Sequence, residues 1–343
     1  YRGNRAMTRF EAAALLNACL DRVTEVTDEL KRLMKEFSQE LAILKGRVDG
    51  LEAKVGVLEA QQFSTTTKLS GYSAWVVGAA EGFTDDANEA LTFNYDLRLT
   101  LETSFTGKDM LTTRLRSGNF GDSIFSQGLT FVETASSTGG NVVIDRLFYT
   151  FPVGESLTVT VGPNVRMDDA GMLGGYATAY PSDLLLDFFT YAGGTTTTNL
   201  AGSGAGVGAV WALAPGFTLS GNYVAYSGGA DSSIGIGADE TGSVSAWQLM
   251  YSAEQLGGNV TAAAMYSYEQ NFGLTIGTTA ANALPVAERN SWSIAGSWAP
   301  LESGLMPSVS TGYGYSDVSE TSDNIQTWYV GLEWSDVFVE GNS

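Results

Sequence analysis

The chain has 343 residues, of which 44% are hydrophobic and only 16% charged, and its formal net charge is −20. Residues 1–62 carry 10 basic and 10 acidic side chains out of totals of 18 and 38, so residues 63–343 hold 8 and 28, and with them the whole excess. No basic face is offered to nucleic acid. The absence of histidine removes His-based acid–base chemistry, Ser-His-Asp triads and His metal sites, and the single Cys19 cannot form an intrachain disulfide or a multi-Cys zinc site.

From the N-terminus, Thr8-Arg9-Phe10-Glu11 fits a capping box, which predicts a short helix over about 8–21 with Cys19 packed among Leu15, Leu16 and Leu20. The start at Tyr1, without a Met or a leader, reads as processed or trimmed. Val23, Val26, Leu30, Leu33 and Phe37 then follow a 3-4-3-4 spacing, and Leu41, Leu44, Val48, Leu51, Val55 and Leu58 resume it. The four-residue step from Phe37 to Leu41 is a stutter that locally unwinds a supercoil. The narrow stripe, flanked by charges of both signs, predicts a coiled-coil stem over 23–62, roughly 60 Å long at 1.5 Å per residue. Val48 and Val55 at a positions with leucines at d lean toward dimers.

At Gln61–Thr65 the apolar period changes to two. In Phe93–Phe105, Phe93, Tyr95, Leu97, Leu99 and Leu101 share one face, while Asn94, Asp96, Arg98, Thr100 and Glu102 share the other. A half-buried sheet of a sandwich alternates in the same way. Segment lengths near the ~9–11 residues of a tilted membrane strand, aromatics toward strand ends, and short turns alternating with long polar stretches favour a transmembrane antiparallel barrel. No apolar run approaches the ~20 residues of a spanning helix, so membrane entry would have to be as a barrel. Twelve strands are predicted, near 68–78, 91–105, 110–117, 143–151, 156–162, 204–212, 217–226, 243–252, 260–268, 291–299, 307–315 and 326–334. Either a twelve-stranded barrel closes there or further strands follow.

Arg98, Arg114, Arg116 and Arg146 fall on the polar phase. An arginine facing lipid at mid-depth costs ~2–4 kcal/mol, so these side chains, with Asp96 and Glu102, are candidate pore-lining groups. An arginine ladder facing carboxylates would set a transverse field that filters ions; a scatter of hydrated charges without selectivity is the alternative. The stretch from Gly162 to Gly204 does not alternate cleanly. It holds Arg166, Asp168, Asp169, Asp183 and Asp187, and Ser182 could cap a short helix through Leu184 and Phe188. It is the candidate constriction loop, with Asp168 and Asp169 expected to face Arg114 and Arg116; an external cap is the alternative. Gly204-Ala-Gly-Val-Gly-Ala209 formally fits a dinucleotide fingerprint, but Trp211 and Pro215 follow where a helix is required, which rejects that reading. No nucleophile–base constellation is present, and no enzyme activity, cofactor or metal is expected.

Thr8-Arg-Phe-Glu-Ala-Ala13 and Leu16-Asn-Ala-Cys-Leu-Asp21 resemble the end of an S-layer-homology (SLH) domain, as found at the head of cyanobacterial outer-membrane porins. Gly46–Ala53, Leu58–Gly71 and the hairpin Tyr149–Pro163 are similar to the coiled coil, first strand and a hairpin of that family, whose members are labelled iron-uptake or carbohydrate-selective porins. The resemblance implies a homotrimer with a barrel of about sixteen strands per subunit. It also implies an outer-membrane location with the stem in the periplasm, and an SLH region that holds peptidoglycan-linked polysaccharide. Thr8, Arg9 and Glu11 map to the polysaccharide motif, although capping alone explains Thr8 and Glu11. The implied layout is 1–22 as an SLH remnant, 23–62 as stem and 63–343 as a porin barrel lacking its C-terminal strands. A passive channel for small hydrophilic solutes and inorganic ions is the leading function, and a structural tether between outer membrane and cell wall the second.

Overall fold

A computed structural model describes residues 28–61, 67–79, 90–126, 130–173, 203–227, 229–271, 273–274, 278–285, 288–302 and 304–336. The capping box at Thr8–Glu11 and Cys19 lie outside the described residues. The chain divides into two units, Tyr1–Thr65 and Thr66–Ser343.

In the first unit, α1 (Asp28–Glu36) and α2 (Ser38–Gln61) are separated at Phe37. The break falls at the stutter, where the apolar stripe changes step. Val48 and Leu51 are 49% and 61% exposed, so this part of the stripe is not covered by its own chain. No helix among the described residues is long and apolar enough to cross a membrane.

The second unit is a single antiparallel meander. Its strands are β1 (Thr67–Gly78), β2 (Thr92–Thr103), β3 (Met110–Gly118), β4 (Val143–Val153), β5 (Leu157–Val165), β6 (Gly204–Ala214), β7 (Phe217–Ala225), β8 (Ser243–Gln255), β9 (Gly258–Gln270), β10 (Arg289–Pro300), β11 (Ser308–Val318) and β12 (Asn324–Glu333). Each pairs with its sequence neighbour. All twelve expected strands are present, with ends shifted by at most a few residues. Their lengths of 9 to 13 residues suit a tilted bilayer crossing. The expected closed barrel is not completed by these strands. Among the described residues β1 pairs only with β2 and β12 only with β11, so the sheet keeps two open edges.

Register aligns the period-two pattern across strands. Trp292 of β10 lies between Tyr266 of β9 and Tyr315 of β11, and Ile294 between Ala264 and Tyr313. The same row class continues through Trp247, Leu249, Leu219, Trp211, Val207 and Val161 to Leu97, Phe93 and Trp75. These side chains face outward: Trp75 is 74% exposed, Trp328 73% and Ile294 63%. An apolar surface this continuous belongs against lipid or another apolar partner rather than water. The opposite face carries the polar set.

Because the sheet is a meander, alternate connections gather at one end. One end has the short links 104–109, 154–156, 215–216 and 256–257, and the other the long ones, including 119–142, 166–203 and 226–242. Pro215-Gly216 is one of the two links only two residues long, and Gly216 takes φ +79°, which a side chain disfavours. The β2–β3 link is locked by Asp109. Its carboxylate accepts from the Ser104 hydroxyl (2.9 Å), the Phe105 amide (3.0 Å), the Thr106 amide and hydroxyl (both 2.7 Å), and the Tyr149 hydroxyl of β4 (2.5 Å). The Tyr149 bond leads the donors that hold this carboxyl far below the ordinary carboxylate range. A depressed pKa gives stability that is present above the ordinary carboxylate range and is lost as pH falls through the folded value. Asp109→Asn should therefore melt earlier than wild type at neutral pH, and the difference should shrink in strong acid. Circular-dichroism melting across pH checks this, and a pH-independent difference would contradict it.

Candidate functional site

The polar face of β2–β5 gathers the predicted arginines, but with other partners than the sequence suggested. Register places Arg98 opposite Arg116, and Arg114 opposite Arg146. Four guanidiniums in two adjacent rows would repel one another, and interleaved carboxylates offset this. Asp96, with 0% exposure, accepts from Arg98 Nε (2.6 Å) and from Arg116 Nε (2.7 Å) and Nη2 (3.0 Å). The Arg98 guanidinium also lies over the Tyr72 ring, 5.1 Å from its centroid.

Asp145 is the residue the sequence reading missed. The β3–β4 register shifts between Arg114 and Leu115, whose partners are Arg146 and Ile144, so Asp145 is the extra residue of a bulge. The bulge lets consecutive residues serve one site. Asp145 accepts from Arg114 Nε (2.6 Å) and Arg146 Nη1 (3.2 Å). Strict alternation would have sent Asp145 to the apolar face, so its signal was a charge out of phase.

Asp169 lies against Arg146 Nε (2.8 Å) and caps the Arg166 amide (2.6 Å), while Asp168 pairs with Arg166 Nη2 (2.9 Å). The expected facing of Asp168 and Asp169 to Arg114 and Arg116 is thus corrected. The bulge supplies Arg114 with Asp145, and Asp96 is already within reach of Arg116. Burial pushes the Asp169 carboxyl above its ordinary value, with Arg146 pulling the other way. Glu102 shares the polar face toward the short links, partly exposed. Arg98, Arg114, Arg116, Arg146 and Arg166 therefore each meet a carboxylate of Asp96, Asp145, Asp168 or Asp169, and Glu102 lies opposite Lys68 in the β1–β2 register. The wall is a balanced charge lattice rather than a positive ladder.

Two link segments fold onto this polar face. In the β3–β4 link, Ser123 Oγ donates to Asn94 Oδ1 (2.9 Å), and Phe120 and Val132 are buried. In the β5–β6 link, Met167, Met172 and Leu173 are essentially fully buried against Phe148, Val224, Val244, Ala246 and Met265. Those five occupy polar-face positions of β4, β7, β8 and β9, so an apolar patch within the polar phase was the available signal for a docked segment. Residues 166–173 thus lie over the polar face of the sheet. Asp183, Asp187 and the Ser182-capped helix lie outside the described residues, as do Thr8, Arg9 and Glu11. Further along, Glu269 of β9 and Arg289 of β10 form a buried ion pair, with 0% and 5% of their side chains exposed.

Comparison with known proteins follows the same outline. The family model described as "Carbohydrate-selective porin, OprB family" matches residues 25–333. An uncharacterized Synechocystis protein, sll0772, is 30% identical over 98% of this chain, which spans 69% of that protein. An uncharacterized Nostoc protein, alr4550, is 50% identical over 45% of this chain, which spans 31% of its length. The high-pH structure of Pseudomonas putida OprB superposes with a TM-score of 0.52 at 14% identity, covering 79% of this chain and 71% of that one. At that identity the likeness shows the fold alone.

Proposed function

The chain belongs to the OprB family of carbohydrate-selective porins, an outer-membrane family, and we propose that it acts as a passive diffusion channel for small hydrophilic solutes and inorganic ions. The supporting observation is the pairing of a continuous apolar outer face with a polar face whose fixed charges balance. A charge-balanced lining presents many oriented donors and acceptors with little net field, which suits neutral polyhydroxyl solutes such as sugars and passes ions with weak preference. In this reading Arg98, Arg114, Arg116, Arg146, Asp96 and Glu102 line the pore, joined by Asp145. Residues 166–173, carrying Asp168 and Asp169, narrow it.

The acidic excess elsewhere in 63–343 would make the pore mouths weakly cation-attracting. In planar bilayers the chain should give step-like conductance, and under a salt gradient a reversal potential displaced modestly toward cations. Strong anion selectivity would sink the balanced-wall reading. Deleting 168–190 should raise single-channel conductance, whereas unchanged conductance would argue for an external cap.

A second role accompanies the first. The helices over 28–61, with Val48 and Leu51 exposed, fit a periplasmic coiled-coil stem, and the family resemblance, rather than the heptads, supports three copies. The resemblance of residues 1–22 to an SLH domain adds a grip on peptidoglycan-linked polysaccharide through Thr8, Arg9 and Glu11. Sedimentation of the detergent-solubilised chain tests the trimer. Co-sedimentation with purified cell wall, compared with a chain lacking residues 1–22, tests the tether.

A further inference from the structure

Strand β6 places Gly204, Gly206 and Gly208 at successive positions of the polar face, and Gly208 lies between Thr160 of β5 and Asn222 of β7, which both carry side chains. A Cβ on Gly208 would lie 2.6 Å from Met172 Sδ, 2.9 Å from Met172 Cα and 3.1 Å from the Gly171 carbonyl oxygen. Real Cβ atoms do not approach backbone so closely, so the 171–172 turn rests directly on the β6 backbone. One on Gly206 would lie 2.7 Å from Val165 Cγ1, where the chain leaves β5. Gly208, the last glycine of the stretch that mimics a dinucleotide fingerprint, thus clears floor space for the inward segment.

Neighbouring strands hold that segment by its backbone. Thr160 Oγ1 of β5 donates to the Ala170 carbonyl (2.8 Å), and Asn222 Nδ2 of β7 to the Met172 carbonyl (3.3 Å). Ser220 Oγ of β7 and Gln248 Nε2 of β8 both donate to the Leu173 carbonyl, at 2.6 and 3.0 Å. Thr160, Gly208 and Asn222 form one register row across β5–β7, and Ser220 and Gln248 belong to the next. All four donors are buried. Polar side chains on a lining face ordinarily serve water or solute; these four serve loop carbonyls, which would otherwise be desolvated without partners.

We infer that the Thr160–Gly208–Asn222 row, with Ser220 and Gln248, is a dock that sets how far residues 166–173 reach across the channel, with Gly208 as its positioning residue. The dock also fixes Asp169 against Arg146, and so couples the width of the opening to the charge balance of the wall. The inference rests on the channel reading above.

Single-channel recording on the whole chain tests it. Gly208→Leu should expel the segment and raise conductance roughly twofold, because conduction through a narrow polar opening follows the room left in it. Adding Met172→Gly to Gly208→Leu should return conductance toward wild type, which a general loss of packing would not do. Met172→Ala with Leu173→Ala loosens the segment without adding bulk to the sheet, so it decides the matter should Gly208→Leu fail to insert. It is expected to raise both conductance and current noise. Wild-type conductance and noise in the Met172→Ala/Leu173→Ala chain would overturn the dock. Failure of the wild-type chain itself to give step-like conductance would sink the channel reading instead.

Discussion

Asp96→Ala is expected to destabilise the folded sheet by about 3–5 kcal/mol, the usual cost of removing one partner from a buried ion pair. Asp96 is fully buried and is the shared anion for Arg98 and Arg116, which are themselves only 18% and 12% exposed. Without it, two guanidiniums paired across β2 and β3 face each other with no intervening negative charge. They cannot rotate away, because the other side of each strand is the apolar face. Asp96→Asn keeps the shape and part of the hydrogen bonding, so it should cost less and isolate the charge contribution. Denaturant titration in detergent followed by tryptophan fluorescence reads the difference. The double variant Asp96→Asn/Arg116→Met should recover stability relative to Asp96→Asn alone, since it removes the stranded cation. The same substitution carries a functional sign. Loss of one anion from a balanced wall should move the reversal potential of surviving channels toward anions. An Asp96→Ala chain as stable as wild type would mean that water already solvates these arginines.

The strands were legible because their signal is one-dimensional. Phe93 to Leu101 alternates without reference to any other part of the chain, and a side chain's face follows from its parity. The partners of Arg114 and Arg116 were not legible, because pairing depends on register, and in this sheet register is set jointly by link length and by bulges. A single inserted residue at Asp145 moved an anion from the outer face to the inner one and displaced the expected role of Asp168 and Asp169. The inward docking of residues 166–173 was half legible. Poor alternation after Gly162 marked the segment, but its receptor is scattered over β4 to β9 as Phe148, Val224, Val244, Ala246 and Met265. Each reads alone as a minor exception to the pattern. The glycines of β6 mimic a ligand-binding loop in sequence, whereas in the fold the missing Cβ of Gly208 admits another part of the same chain. The helices over 28–61 illustrate the converse: their apolar spacing was legible, and the break between α1 and α2 at Phe37 falls where that spacing changes.

Arg289→Met should be comparably severe, at about 3–5 kcal/mol, because it leaves Glu269 as a lone buried carboxylate. The register row explains why water cannot take over. Glu269 and Arg289 are flanked in the same row by Val244 of β8 and Val318 of β11, each 1% exposed. One Glu269 carboxylate oxygen already has no hydrogen-bond partner among the described residues, which makes the site poor at holding an unpaired charge. Glu269→Gln/Arg289→Met should then restore most of the loss, since a neutral amide beside a thioether of similar volume removes both desolvated charges. Equilibrium unfolding of the two single variants and the double variant gives the coupling directly. Additive losses would show that the two side chains act independently. A hydrophobic pair would serve stability at least as well as this ion pair, so its advantage has to lie in specificity. Glu269 and Arg289 stand at the ends of β9 and β10 nearest their long connecting link, where no tight turn imposes register. A one-residue slip there would carry Arg289 to the apolar face, at a cost far above that of a misplaced serine or alanine. Mispairing of β9 with β10 should therefore appear during refolding of the double variant, as a slower or less complete return to the native sheet, even where its final stability matches wild type.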